Sequence, residues 1–469
     1  MPTANLIAYT VFYLWPLVTW VLFSRLDPAR ALLWTILGGY MLLPPVIAIN
    51  LPMVPDFDKY SIPSLAAAAA VLFLLREKFS LWPQSKLARG LIFLYVLSPF
   101  ATVLTNTDPI HFEQDTLPAM RIYDSLAAVA GQFIALLPFF MARRFLATPQ
   151  ALQKIVTVLV TAGLIYSVPM LFEVRMSPQL NLWIYGYFQH DFSQAIRFGG
   201  YRPFVFMPHG LWVAFFALMC FLSSVALVRD GPASQRPRAV LICLYLAAVL
   251  VLCRSAGPLV FALGLLPLLI FTSRKTQLTI ALVMATVVIV YPLLRGLHLV
   301  PVDDLVNFAL GINQERGLSL SFRIENEELL LARAAERPWF GWGGYGRNLL
   351  HDPIRGTISI IADGGWIITL GTNGWLGYLA EFGLLVLPLY LIARESWHLK
   401  VDAISPFTGV VALILAANLF DMLPNDTLIP FTWLLAGSLF GYAESLAQTR
   451  RHRKEIEFEQ EFRTGRTIL

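Results

Sequence analysis

This sequence predicts an all-α protein that crosses a membrane many times, for three reasons. Apolar residues make up 57% of its 469 positions and charged residues only 14%, with a mean hydropathy of +0.64. A water-soluble domain carries about 25% charged residues to cover its surface, and this chain falls far short of that. Second, the apolar residues are gathered into runs of about 20, the length at which a helix spans a hydrocarbon core of about 30 Å. Third, the connections between runs alternate in charge, one set being rich in Lys and Arg. Together these observations exclude a soluble globule, a disordered chain, a secreted disulfide scaffold and a nucleic-acid-binding domain. The cysteines, Cys220, Cys243 and Cys253, all sit in apolar runs, so they build neither a disulfide framework nor a metal cluster.

In chain order the runs are 4–23, 30–49, 61–75, 87–105, 122–141, 150–172, 209–228, 239–253, 257–271, 278–297, 364–393, 405–422 and 428–447. The two runs flanking Arg254 are short, which leaves 12 to 13 spans. They divide the chain into N-terminal helices (1–172), a first long loop (173–208) and central helices (209–297). A large late loop (298–363), C-terminal helices (364–447) and a tail (448–469) follow. No positively charged stretch precedes the first run, so it reads as a retained span rather than a cleaved signal.

Lys and Arg collect near Arg25, Arg76, Arg143, Arg229, Arg274 and Arg394 and in the tail at Arg450, Arg451, Arg453 and Lys454. These segments are read as cytosolic, with the N-terminus outside and the C-terminus inside. The net charge of +5 therefore averages two faces of different character. Six of the seven lysines are cytosolic, and Lys59 alone is outside, where the remaining cations are arginines. A guanidinium fork matches phosphate oxygens bidentately, so an outward arginine excess suits a phosphate-bearing ligand. High overall Arg usage, 28 against 7 Lys, is the plainer explanation of the same bias.

The two long outward loops exceed what a connector needs. In the second, Ser319 or Ser321 is expected to cap a helix that runs to about Glu336 and ends before Pro338. Glu325, Glu327 and Glu328 then match the positive end of the helix dipole, and Arg333 and Arg337 its negative end. The following Pro338-Trp-Phe-Gly-Trp-Gly-Gly-Tyr-Gly-Arg347 is a glycine-rich turn whose backbone is expected to approach a ligand closely. Gly341, Gly343 and Gly346 spell G-x-G-x-x-G, but a proline and a helix precede them instead of a strand, which rejects a dinucleotide site.

No G-x-S-x-G, H-E-x-x-H or Walker A motif is present. Of the histidines, His190 and His209 share one outward loop with Arg197 and Arg202. Glu381 and Asp421 lie inside spans and Glu444 near a cytosolic end, where interhelical hydrogen bonding is a better account than a proton path. Arg254 stands at the outward end of a helix pair, either snorkelling to headgroups or facing a ligand. With Arg197, Arg202, Arg323 and Arg347 it makes five outward arginines.

The stretch SFRIENEELLLARAAERPWFGWGGYGRN, followed by ADGGWIITLGTNGWLGYLAEFGLL, resembles the signature region of the O-antigen ligase and O-antigen polymerase superfamily. Tyr201-Arg-Pro-Phe-Val-Phe-Met-Pro-His209 is similar to that family's Arg-then-Gly-Phe-x-x-Pro-Asn element, and Arg254-Ser-Ala to its Ser-Arg-Gly-Ala element. The likeness covers about 188–385. It implies a GT-C-like glycosyltransferase of the bacterial inner membrane, acting without a metal or other cofactor at the periplasmic face. The donor it implies is a glycan on undecaprenyl pyrophosphate. The acceptor is the next lipid-linked repeat unit in a polymerase, or a lipid A-core sugar in a ligase. Membrane lipid, a chain-length regulator and a flippase are the implied partners, and nucleic acid is not one.

Carried onto this chain, the resemblance makes Arg202 and Arg323 donor-binding arginines, with Arg197, Arg254 and Arg347 beside them. The ligases' catalytic His falls where this chain has Asp363, which becomes the expected base or acceptor-orienting group together with Arg323. His351 lies twelve residues earlier, out of register. His209, His190 and His351 are expected substrate contacts. The missing His favours a polymerase, of the exopolysaccharide kind, over a ligase. A transporter or flippase of lipid-linked saccharides is the alternative of another class, although the chain shows no internal repeat.

Overall fold

A computed structural model describes residues 4–51, 54–197, 199–312 and 314–465. The described chain is 71% helical. In order the helices are α1 (Leu6–Arg25), α2 (Pro28–Leu42), α3 (Ser61–Ala69, continued by a π turn over Ala70–Leu74), α4 (Lys86–Leu104), α5 (Ile122–Phe145) and α6 (Pro149–Met176). Then come α7 (Leu180–Tyr185), α8 (Gly210–Asp230), α9 (Arg236–Leu252), α10 (Ala256–Phe271) and α11 (Arg274–Gly296). The last are α12 (Val302–Ile312), α13 (Gln314–Ala335), α14 (Gly365–His398), α15 (Thr408–Asp421) and α16 (Pro430–Gly465). Each of the thirteen apolar runs has its helix. Among the described residues, eight helices are long and apolar enough to cross a membrane, and α3, α10 and α15 are shorter apolar helices. The protein is a multi-pass membrane protein.

The caps are local and readable. Asn5 accepts from the Ala8 amide, Asp27 from Arg30, Ser85 from Ala88, Thr148 from Ala151 and Ser273 from Thr276, each satisfying a first-turn N–H. Pro28 and Pro149 follow two of these caps, where a missing N–H costs nothing. Burial separates centre from rim. The apolar stretches of α8 and α14 are 78% and 83% buried, against 17% for the helix ending at Leu252 and 28% for α1. α14 packs on α4, α11 and α16, and α5 packs on α16. The rim helices leave side chains such as Leu17, Phe73, Leu241 and Leu263 exposed, which suits contact with lipid tails.

Charges inside or beside the spans serve packing. Glu444 of α16 pairs with Arg143 of α5 at 2.7 Å and accepts from the Gln84 amide. Asp421 closes the turn after α15, accepting from Asn425 Nδ2 at 3.1 Å and Thr427 Oγ1 at 3.0 Å. Such groups find partners because an unpaired charge at this depth is costly.

The late loop differs from its sequence expectation. α13 begins at Gln314, so Ser319 and Ser321 lie within the helix rather than capping it, and Ser321 Oγ donates to Glu325 Oε1. The cause is tertiary: α12 folds back on α13, and Gly317 leaves the room that Leu310 fills. The acids are then mid-helix and cannot serve the dipole, whose effect is confined to the first turn. Instead Glu328 pairs with the buried Arg295 of α11 at 3.2 Å, docking α13 on the bundle. Glu327 is buried beside them, and burial pushes its carboxyl up to about 7. α16 also runs on through the expected tail to Gly465, so the basic cluster Arg450, Arg451, Arg453 and Lys454 continues the last helix.

Candidate functional site

A cleft of about 1120 Å³ opens where four connections converge at one end of the bundle. Its walls come from the segment between α6 and α8, the start of α10, the middle of α13, the residues before α14 and the turn after α15. Its size exceeds the range of about 300–1,000 Å³ usual for a small-molecule site.

One wall is basic. Two short antiparallel strands, Ile196–Arg197 and Gly200–Tyr201, turn the chain so that Arg197 and Arg202 both reach the cleft. Gly210 and Gly200 make room behind them: a side chain at Gly210 would strike the Arg202 stem, and one at Gly200 the Arg254 guanidinium. Arg202 is only 6% exposed. Its Nη2 donates to Ser255 Oγ at 3.2 Å, while its Nε has no hydrogen-bond partner among the described residues. Arg197 Nη2 donates to Gln194 Oε1 at 2.7 Å, and Arg254 Nη1 donates to the Arg197 carbonyl at 3.1 Å. Among the described residues no carboxylate lies within ion-pair distance of Arg197 or Arg202. Burial, and then Arg197, lowers the Arg202 guanidinium to about 10. A buried cation with an open donor and no counter-charge is expensive unless an anion completes it.

His209 stands one residue before α8 and caps it, Nδ1 accepting from the Leu211 amide at 3.1 Å. Burial, then Arg202, pushes its imidazole down to about 3, so it is neutral with the proton on Nε2. His190 is exposed, its ring 4.7 Å from that of His209. On the opposite wall, Arg323 Nε pairs with Asp363 Oδ2 at 3.3 Å, and Arg323 Nη1 donates to the Pro424 carbonyl at 3.3 Å. Both members of the pair are about a third exposed. A salt bridge so open adds little to stability, which leaves its polar atoms available to a ligand.

The structure thus brings together Arg197, Arg202, Arg254, Arg323, Asp363, His190 and His209. It places Arg347 and His351 elsewhere. Arg347 is 1% exposed, donating to the Pro118 and Asp108 carbonyls at 2.8 and 2.9 Å. The His351 ring lies 5.3 Å from that of Phe112, and its Nδ1 is 3.1 Å from the Leu349 carbonyl. Nor does the glycine-rich turn line the cleft. α14 is broken at Gly374, whose φ is 65° and ψ −172°. The turn docks there, Trp342 and Gly343 amides donating to Gly371 and Thr372, and Trp375 and Leu376 amides donating to Pro338 and Trp339. Side chains at Gly341 or Gly374 would collide with the facing backbone. The close approach is therefore between two stretches of this chain.

Sequence reasoning passed over the residues that hold the basic wall. Glu173, at the end of α6, accepts from the Phe204 and Val205 amides at 2.8 and 2.7 Å and from Leu180 at 3.0 Å. The buried Lys59 Nζ donates to the Phe206 carbonyl at 3.0 Å, and burial lowers its ammonium to about 7. The only signal available was that Lys59 is the one lysine outside the segments read as cytosolic. No protein-family model matches the chain, and no curated protein sequence matches it.

Proposed function

We propose that this protein is a membrane glycosyltransferase that polymerises lipid-pyrophosphate-linked oligosaccharide repeat units at the non-cytosolic face. One observation carries the reading: the buried, uncompensated Arg202 shares a large cleft with Arg197, Arg254 and Arg323, opposite the carboxylate of Asp363. The resemblance of 188–385 to O-antigen polymerases and ligases supports it and supplies the donor class, a glycan on undecaprenyl pyrophosphate. On this reading the fold is GT-C-like and the cleft faces the periplasm.

In the reaction, an acceptor hydroxyl oxygen attacks the anomeric carbon as the bond from that carbon to the pyrophosphate oxygen breaks. The leaving pyrophosphate takes the electron pair, and the hydroxyl proton passes to Asp363. The leaving group is a good one, so catalysis rests on position and on neutralising developing charge. Arg202, Arg197 and Arg254 bind the pyrophosphate. Arg323 holds the Asp363 carboxylate in place and adds positive charge. His209, neutral, offers Nε2–H to a sugar or phosphate oxygen. Asp363 in place of the ligases' His favours elongation over transfer to lipid A-core.

The test is reconstitution of the full chain with a lipid-pyrophosphate-linked repeat unit. Longer glycans with free lipid pyrophosphate are expected. Unchanged glycan length with transfer between leaflets would replace the reading with flipping. Asp363→Asn should reduce turnover by about 100-fold or more, and normal turnover in that variant removes Asp363 from the mechanism.

A further inference from the structure

A second pocket, of about 250 Å³, lies on the other side of the turn that follows α15. Asp426 of that turn lines the cleft and Leu428 lines the pocket. Two residues span at most about 7 Å of backbone, so the sites are near neighbours. The pocket descends between α3, α4, α5 and α16.

Its chemistry is the reverse of the cleft's. Among the described residues no Lys, Arg or His lines it, which disfavours phosphate. Tyr95 and Trp433 form its inner wall, 5% and 2% exposed, with ring centroids 5.7 Å apart and planes tilted by 44°. Neither the Tyr95 hydroxyl nor the Trp433 indole N–H has a hydrogen-bond partner among the described residues, although such groups normally find one when buried. Exposed Asp56 supplies an acceptor at the rim. The Asp58 carboxylate is already engaged by the Tyr60 and Ser61 amides and Ser61 Oγ. Two unpartnered donors on largely buried side chains, aromatic faces and a carboxylate acceptor suit a neutral ring bearing hydroxyls on its edge and C–H groups on its face.

We propose that this pocket is a saccharide subsite that holds one sugar ring of the glycan acceptor, with Tyr95 and Trp433 as donors and Asp56 as acceptor. The acceptor assignment rests on the polymerase reading above; the saccharide chemistry does not. The pyrophosphate cleft and the subsite then flank one short turn, so an acceptor anchored in the pocket presents its next sugar toward Asp363.

The test uses the full chain in lipid nanodiscs, with methyl glucoside, methyl galactoside and methyl N-acetylglucosaminide as probes in saturation-transfer NMR. Tyr95→Phe removes one donor and keeps the ring, and Trp433→Phe removes the other and keeps an aromatic face in a smaller ring. Gly131→Leu fills the pocket, and a Cβ there meets only Pro55 Cβ at an ordinary 3.5 Å. At least one probe should show transfer that falls five-fold or more in all three variants and is unchanged in Arg323→Ala. Absence of transfer from every probe overturns the subsite, as does transfer indifferent to the pocket variants. So does a Gly131→Leu effect confined to bound phospholipid in native mass spectrometry. In the reconstituted reaction the acceptor KM should rise about ten-fold in Tyr95→Phe with donor KM unchanged. Normal elongation with unchanged acceptor KM in all three variants removes the subsite and leaves the polymerase reading standing. Pocket-dependent sugar binding without any release of lipid pyrophosphate does the opposite.

Discussion

The cleft and the glycine-rich turn are built from the same residue types, arginines, glycines and aromatics, yet they end in opposite states. Around the turn every guanidinium has partners, although the Nε atoms of Arg333 and Arg347 are left open as that of Arg202 is. Arg333 lies 3.4 Å from the centre of the Trp342 ring and pairs with Glu336 at 2.7 Å, Arg337 lies over the same ring at 4.5 Å, and Arg347 reaches two carbonyls. In the cleft, the Arg202 guanidinium donates to Ser255 Oγ, and among the described residues no carboxylate lies within ion-pair distance of it or of Arg197. Arginine richness therefore does not mark a binding site. What marks one is arginine that the fold leaves facing an open cleft instead of packed against rings and carbonyls.

This contrast can be broken at five positions. The largest effect is expected in the turn, from Gly374→Ala. A side chain at φ 65° would meet the Trp339 backbone, so stability should fall by about 3 kcal/mol or more, seen as loss of the folded peak in size-exclusion chromatography. A folded Gly374→Ala protein with a normal melting temperature would mean the break in α14 is not needed. Next, Arg202→Ala and Arg323→Ala should each lower product formation by about 100-fold or more while unfolding temperature barely moves. Arg347→Ala should do the converse, orphaning two carbonyls at about 1–3 kcal/mol with the specific activity of the surviving folded protein retained. If Arg347→Ala silences a stable enzyme, the division between the two regions is wrong.

The smallest effect concerns pH. The His209 imidazole sits at about 3 in the fold against about 6.5 in an unfolded chain. The unfolded state binds the proton first, so the stability His209 contributes is complete above about pH 6.5 and is lost as pH falls toward 3. His209→Asn retains a cap for α8 without that titration. Denaturation followed between pH 7.5 and 4 should show wild type losing stability faster than the variant. Parallel curves would place the imidazole in a solvated setting instead.

Much of the scaffold was legible in the sequence because its causes are local. Apolar runs of membrane length, Asp27-Pro28 and Thr148-Pro149 as helix starts, and Lys and Arg at alternate connections are all properties of neighbouring residues. α13 was misjudged at its start because what extends it, Leu310 packed at Gly317, comes from another helix. Of the nine site residues named from sequence, seven share the cleft, since the two long loops and the link between α9 and α10 meet there. Arg347 and His351 do not. Their carbonyl and ring partners sit in a hairpin more than two hundred residues away in sequence, which no reading of the late loop reveals.

Lys59 and Glu173 teach the same lesson from the other side. Neither belongs to a motif, yet together they clamp the segment that presents Arg202. The chain by itself determined that this is a helical membrane protein with arginines gathered outside its spans, because hydrophobic length and charge bias act on each segment separately. Only the tertiary structure decided which of those arginines are satisfied and which are left for an anion. That depends on which distant segments pack around each guanidinium, and a buried cation without a counter-charge is costly wherever the fold leaves one.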